Sequence, residues 1–343
     1  MPASDPSLAA PTDVGSLGIY QLKRLWSRAM AGRRGRPPGG APEPQLDCLV
    51  IHAVGLGLEQ AMQHLYRTGP AFEEFEGWIL ATAGPVDPDQ VARINAVVTG
   101  SKCPPEVQKR LDAVTAAEPV LSPDDLAFWH RQGYVILPNA VLPEACAATE
   151  RAIWDHVGAS PDNPEGWYFE NAHGIMVQLF QHPALTANRH SPRIHKAFSQ
   201  LWDTTDLWVT TDRVGFNPPE RPGHKFPGPH LHWDVSLQQP IPFGTQGILY
   251  VTDTPPEQGA FTCVPGFHNR IEAWLKGLPT GAEPRRQDLH ALGSKPIGGR
   301  AGDLIIWNQA LPHGSRPNLG ARPRLVHYIN MHPAHVEEQS VWL

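Results

Sequence analysis

Four cysteines in 343 residues is a small number, and Cys48, Cys103, Cys146 and Cys263 lie far apart with no Cys-x-x-Cys spacing among them. Their scatter excludes a zinc ribbon and a disulfide scaffold and fits a reducing compartment, so a cytoplasmic location is expected. No run of 18 apolar residues occurs, which excludes an ordinary membrane-spanning helix. The opening Met1-Pro2-Ala3-Ser4-Asp5-Pro6 lacks the charged-then-apolar order of a secretion signal. Basic excess is missing too: 28 Lys and Arg against 34 Asp and Glu leave a net charge of -6, which argues against a nucleic-acid partner. No internal repeat is evident. What remains is the composition of an ordinary globular protein, 41% hydrophobic and 18% charged, long enough to bury a large core.

Two textures divide the chain. Residues 1–118 read as a helical N-terminal domain. Leu17–Met30 is amphipathic, a Pro/Gly/Arg-rich linker covers 31–44, and Leu46–Tyr66 has the pattern of one long apolar-rich helix. Phe72, Phe75 and Trp78 make an aromatic stripe on a third helix, Gln90–Val98 forms a fourth, and Pro104-Pro105 opens another. Such a stripe belongs to a core, and the Arg33, Arg34, Arg36 cluster reads as a solvated linker before it reads as an anion site. Three roles stay open for this block: a homodimer contact, a lid, or a dock for a carrier-bound substrate.

Residues 119–343 change to short β-type runs punctuated by Gly and Pro: Tyr134–Leu137, Leu207–Phe216, Gly247–Thr252, Ala260–Val264, Leu304–Trp307 and Leu325–Met331. The expected class is mainly β with helices, a double-stranded β-helix (jelly roll) with helices Pro123–Gln132 and Pro143–Val157 packed outside it.

The chemistry-bearing residues lie in this second block. In His232-Trp233-Asp234 the first and third side chains share one side of an extended segment, so both can grip one metal while Trp233 faces outward. A third ligand, His313, follows the apolar run Leu304–Trp307, and antiparallel folding can bring it beside the pair. Two imidazoles and a carboxylate can hold a non-haem iron(II) on one face and leave the other open. With 17 His and 17 Asp, about one His-x-Asp is expected by chance, and one occurs. The triplet alone therefore means little, and a lone loop histidine is usually just solvated. The informative feature is the order: Pro218-Pro219, His232-x-Asp234, the Gly259 to His268 segment, Gly302-Asp303, His313 and Arg324. Asp303 after Gly302 reads as a turn former.

In this order the chain resembles the phytanoyl-CoA dioxygenase family of iron(II)- and 2-oxoglutarate-dependent oxygenases. The resemblance covers about residues 119–335 and begins with Ser122 to Pro138, which looks like the family's opening helix and first strand. It implies that His232, Asp234 and His313 bind Fe(II), that Arg324 holds the far carboxylate of 2-oxoglutarate, and that Ser315 touches the same cosubstrate. A guanidinium suits that task because it forks onto a carboxylate and stays charged. Arg322 and Arg316 are rivals for the position. His230 is a rival ligand, sharing the face of His232 and Asp234. Arg213 and Gln178 are weaker candidates for cosubstrate or substrate, and Asn217 stands where relatives often carry lysine. Trp167, Tyr168, Asn171, His173 and Met176 are candidates for a pocket wall.

The implied reaction consumes 2-oxoglutarate and O2, releases succinate and CO2, and hydroxylates an unactivated C–H bond of a small molecule. The intact Asp234 favours hydroxylation over halogenation, with desaturation and cyclisation still open. Two other classes compete: a cupin-like metal enzyme of another type, which gives Arg324 no reason to face the metal, and a catalytically silent binding module.

Overall fold

Proline at the first helical position and glycine after the last set the limits of several helices in the N-terminal third, since proline needs no N–H partner there and glycine accepts the left-handed turn that ends a helix. The computed structural model describes residues 8–36, 41–169, 174–337, 339 and 341–343. Its chain divides into two compact units. One comprises Met1–Ala117, Thr204–Asp212 and Pro333–His335; the other comprises Glu118–Asp203, Arg213–His332 and Val336–Leu343.

The first unit contains helices Leu22–Arg33, Pro44–Ala53, Leu58–Thr68, Phe72–Ala83, Pro88–Thr99 and Pro105–Ala116. The long helix expected over Leu46–Tyr66 is broken in two. Gly55 at φ 80° turns the chain left-handed after Ala53, and Gly57 caps the second helix. Hydrophobic pattern alone does not register such a break. The first helix reaches Arg33, so it occupies the start of the expected 31–44 linker; residues 37–40 lie outside the described residues. Leu22, Leu25, Leu49, Ile51, Leu65, Phe75 and Ile79 form the core. The aromatic stripe packs within this same unit: Phe72 and Phe75 are buried, and Trp78 stacks on His64 at 4.0 Å. No helix among the described residues is long and apolar enough to cross a membrane.

In the second unit the Ser122 hydroxyl accepts from the amide of Asp125, and the Asp125 carboxylate accepts from Ser122 N–H, a reciprocal cap that starts Pro123–Gln132. Gly133 ends that helix and the chain turns into strand Tyr134–Leu137. A six-stranded antiparallel sheet follows the order Tyr134–Leu137, Leu304–Asn308, Thr245–Tyr250, Arg324–Tyr328, Val214–Asn217, Met176–Val177. A three-stranded antiparallel sheet joins Lys295–Ile297, Phe261–Cys263 and His313–Gly314. The two share a core in which Ile248, Tyr250, Ile305, Trp307 and Val326 of the large sheet meet Phe261, Cys263 and Ile297 of the small one. The opposite face of the large sheet, with Val214, Phe216 and Leu325, packs against Ile153, Trp154 and Leu185 of helices Pro143–Val157 and Pro183–Arg189.

The expected run Leu207–Phe216 is two strands, Leu207–Val209 in the first unit and Val214–Asn217 in the second. The expected run Leu325–Met331 is also interrupted, ending at Tyr328 and resuming at Met331. Each was one apolar stretch in sequence, and each changes pairing partner part-way along.

Candidate metal centre

His232 and His313 face each other across an isolated antiparallel bridge, exchanging backbone bonds of 2.9 and 3.0 Å. The His232–Asp234 segment is a bend held by that bridge, not a strand as expected. Trp233 does turn away from the pair, but into the protein: it is 2% exposed, lies against Phe267 and Trp274, and donates its indole N–H to Ala310 O at 3.0 Å. Its burial anchors the bend. Gly314 is required beside the bridge, because a Cβ there would stand 2.4 Å from His230 O.

Each imidazole is oriented by a backbone carbonyl. His232 Nδ1 lies 2.7 Å from His230 O, and His313 Nδ1 lies 3.1 Å from Leu311 O. A carbonyl can only accept, so both Nδ1 atoms carry the proton and both Nε2 atoms point inward. Those Nε2 atoms lie 3.1 and 3.2 Å from Asp234 Oδ1 and Oδ2. The three donor atoms fall within 4.8 Å of one another.

Three electron-pair donors so close together repel unless a proton or a cation lies among them. Two ligand atoms each about 2.1 Å from a metal and at right angles stand about 3 Å apart, so the observed spacing fits one small cation. In the metal-free protein the same closeness acts on protons. Burial pushes the Asp234 carboxyl up, but hydrogen bonds and charge from His232 and His313 outweigh it and hold it far below the usual range. Burial lowers the His232 pKa, yet the bond and charge of Asp234 raise it overall. His313 is 4% exposed, whereas the side chains of His232 and Asp234 are 36% and 48% exposed, so the cluster has a closed back and an open front.

Arg324 is fully buried at the start of its strand. Its Nη1 donates to Ser315 Oγ at 2.8 Å and to Gly259 O at 3.0 Å, while Nε and Nη2, also buried, make no hydrogen bond. A buried guanidinium with two idle donors lacks an acceptor of the size and charge of a carboxylate. Ser315 stands two residues beyond His313, which puts the guanidinium near the cluster.

The rivals lie elsewhere. Arg316 turns to Thr262, donating Nε to its hydroxyl at 2.9 Å, and Arg322 is exposed. His230 gives its carbonyl to His232 while its ring meets Phe226 edge-on at 5.4 Å. Arg213 is not in the group. Arg324 pairs with Asn217, and Arg213, which directly precedes the neighbouring strand Val214–Asn217, lies about 13 Å from Asn217, with its guanidinium over Phe180. Asn217 clamps the loop by donating to Arg316 O at 3.1 Å. Asp303 accepts the amide of Arg300, as a turn former does. Trp167 is core and Tyr168 donates to Pro219 O; Gln178 Nε2 is buried without a partner. Asn171 and His173 lie outside the described residues.

Sequence reasoning missed Gln246. Its Nε2 donates to Asp234 Oδ2 at 2.7 Å and its Oε1 accepts from Trp307 Nε1 at 3.0 Å. The available signal was a polar residue at a position that alternates with Ile248 and Tyr250 on a core-facing strand.

The phytanoyl-CoA dioxygenase (PhyH) family profile matches residues 129–326. The chain belongs to that family. Its members depend on iron(II), 2-oxoglutarate and dioxygen, and this protein is a 2-oxoglutarate-dependent oxygenase. A protein described as a putative phytanoyl-CoA dioxygenase from Dictyostelium discoideum is 23% identical over 258 residues, 60% of this chain and 74% of its own length. An ectoine dioxygenase from Nocardia farcinica is 22% identical over 264 residues, 70% of this chain and 86% of its own length. Among solved structures, the non-heme alpha ketoglutarate dependent carbocyclase SnoK from nogalamycin biosynthesis is similar at 20% identity and a TM-score of 0.47, covering 64% of this chain and 88% of that one.

Proposed function

We propose that this protein hydroxylates an unactivated C–H bond of a small metabolite, with iron(II) held by His232, Asp234 and His313 and the 5-carboxylate of 2-oxoglutarate held by Arg324 and Ser315. The supporting observation is the pairing of two features in one unit: three ligand atoms within 4.8 Å of one another, spaced to hold a cation, and a buried guanidinium whose Nε and Nη2 make no hydrogen bond and suit a carboxylate. In the same reading the two antiparallel sheets are the halves of a jelly roll, residues 119–343, apart from the Thr204–Asp212 and Pro333–His335 segments that join the first unit, are the catalytic domain, and the helical block 1–118 is an accessory domain. Four free cysteines fit a cytoplasmic setting.

When bound, iron(II) with 2-oxoglutarate and O2 supplies the oxidant for the C–H bond, and one oxygen atom enters the substrate while the other leaves in succinate, with CO2 released. The chain's own residues position and exclude. Arg324 offers Nε and Nη2 to the carboxylate in a fixed fork, and Ser315 holds Nη1 so that the fork cannot rotate. His313, buried against Phe261 and Trp307, closes the back of the cluster to water. The half-exposed side, at His232 and Asp234, is where a substrate can approach.

Anaerobic addition of iron(II) and 2-oxoglutarate should produce a weak visible charge-transfer absorption, absent with either alone. Screening small metabolites for stimulated succinate release then identifies the substrate class. No absorption and no succinate from well-folded protein would overturn the proposal.

A further inference from the structure

We infer that Gln246 is a positioning residue for the metal centre, with its amide orientation dictated by Trp307. This rests on the proposed ligand role of Asp234. Gln246 and Trp307 are directly opposed on neighbouring antiparallel strands, so their side chains leave the sheet on the same face. An indole N–H can only donate, and Trp307 Nε1 stands 3.0 Å from the Gln246 amide, so that contact must be to the amide oxygen. The NH2 end is thereby turned to Asp234 Oδ2, 2.7 Å away. Trp307 itself is fixed, 3% exposed, with its ring 4.4 Å from Phe261 and 5.1 Å from His313.

Asp234 needs such an anchor. It sits on a bend, its side chain is half exposed, and its other polar contacts are the two imidazoles whose Nε2 atoms it faces. A carboxylate held only by those rings is free to rotate about its Cβ–Cγ bond. One N–H donated to Oδ2 sets the plane of the carboxylate and occupies one lone pair of that oxygen. It also ties the ligand to a tryptophan packed in the core. Ligating carboxylates are commonly hydrogen-bonded in this way, and losing the partner weakens metal binding.

The test is a cobalt(II) titration of the full-length protein without 2-oxoglutarate, followed by visible absorption, alongside thermal unfolding of the metal-free form. Wild type should bind one cobalt(II), and His313→Ala should not; failure there would remove the metal reading itself. Gln246→Met keeps the side-chain length and deletes the amide, and should raise the cobalt(II) dissociation constant about 10- to 100-fold in protein that is still folded at the titration temperature, with a modest fall in the thermal midpoint from the unpaired Trp307 N–H. Should that variant unfold early, Trp307→Phe, which leaves the amide but removes its anchor, should give a rise of roughly three- to tenfold. Normal wild-type binding with an affinity within about twofold in the folded variant would overturn the role of Gln246 alone.

Discussion

Arg324 and Ser315 are joined by a 2.8 Å hydrogen bond in the interior of the β unit, and that bond uses only one edge of the guanidinium. The other edge is buried and idle. Leaving a charge in that state costs stability unless an anion completes it. Arg324→Met should therefore raise the thermal midpoint of the cosubstrate-free protein while increasing KM for 2-oxoglutarate about 100-fold or more, the cost of losing a buried, bonded charge pair. Arg324→Lys keeps the charge but not the fork and should fall between. Thermal unfolding and steady-state kinetics check both halves.

Ser315 holds one nitrogen of that fork and is 5% exposed. Removing a hydroxyl that accepts from a charged donor costs about 1.5–3 kcal/mol when the donor is left buried. Ser315→Ala should raise KM for 2-oxoglutarate roughly tenfold, less than any Arg324 variant, and leave cobalt(II) affinity unchanged. Parallel measurement of the two constants separates the cosubstrate from the metal.

Gly314 lies against the carbonyl that orients His232. A Cβ there would stand 2.4 Å from His230 O, backbone that cannot yield like a flexible side chain. Gly314→Ala should force the bridge apart, destabilise the fold by about 1–3 kcal/mol and weaken metal binding together with it. Urea unfolding and a cobalt(II) titration report the two effects.

His327 supplies a pH dependence. It is fully buried on the outer face of the large sheet with neither ring nitrogen hydrogen-bonded, and burial, with repulsion from Arg189, lowers its pKa well below 6.5. The native imidazole stays neutral where the unfolded one takes a proton. Its titration thus contributes nothing above pH 6.5 and destabilises the fold as pH falls below that, by up to about 1.4 kcal/mol per pH unit, because only the unfolded chain takes up the proton. His232 shifts the opposite way, so the wild-type curve is a sum. Comparing urea midpoints of wild type and His327→Leu from pH 8 to 5 isolates the term: the variant should be relatively more stable the lower the pH.

Much of the candidate site was legible because ligand chemistry restricts residue type. His232, Asp234 and His313 stood out through order and spacing and do come together, Arg324 was singled out among its neighbouring arginines by the family resemblance, and the caps at Ser122 and Gly133 set the opening helix and strand of the β unit. Contacts that depend on which way a strand turns were not legible. Gln246 looked like any polar strand residue until Trp307 was placed opposite it. Arg213 sat close in sequence to the site yet beyond the far end of strand Val214–Asn217. The helix break at Gly55 escaped because a continuous apolar pattern spans it, and the Leu207–Phe216 run concealed a change of unit.

A crystal of the protein soaked anaerobically with iron(II) and 2-oxoglutarate, with data collected at the iron edge, tests the central claim most directly. One anomalous peak is expected within about 2.2 Å of His232 Nε2, His313 Nε2 and an Asp234 oxygen, with the distal carboxylate of 2-oxoglutarate on Arg324. A peak elsewhere, or a cosubstrate carboxylate that leaves Nε and Nη2 of Arg324 unpaired, would contradict it.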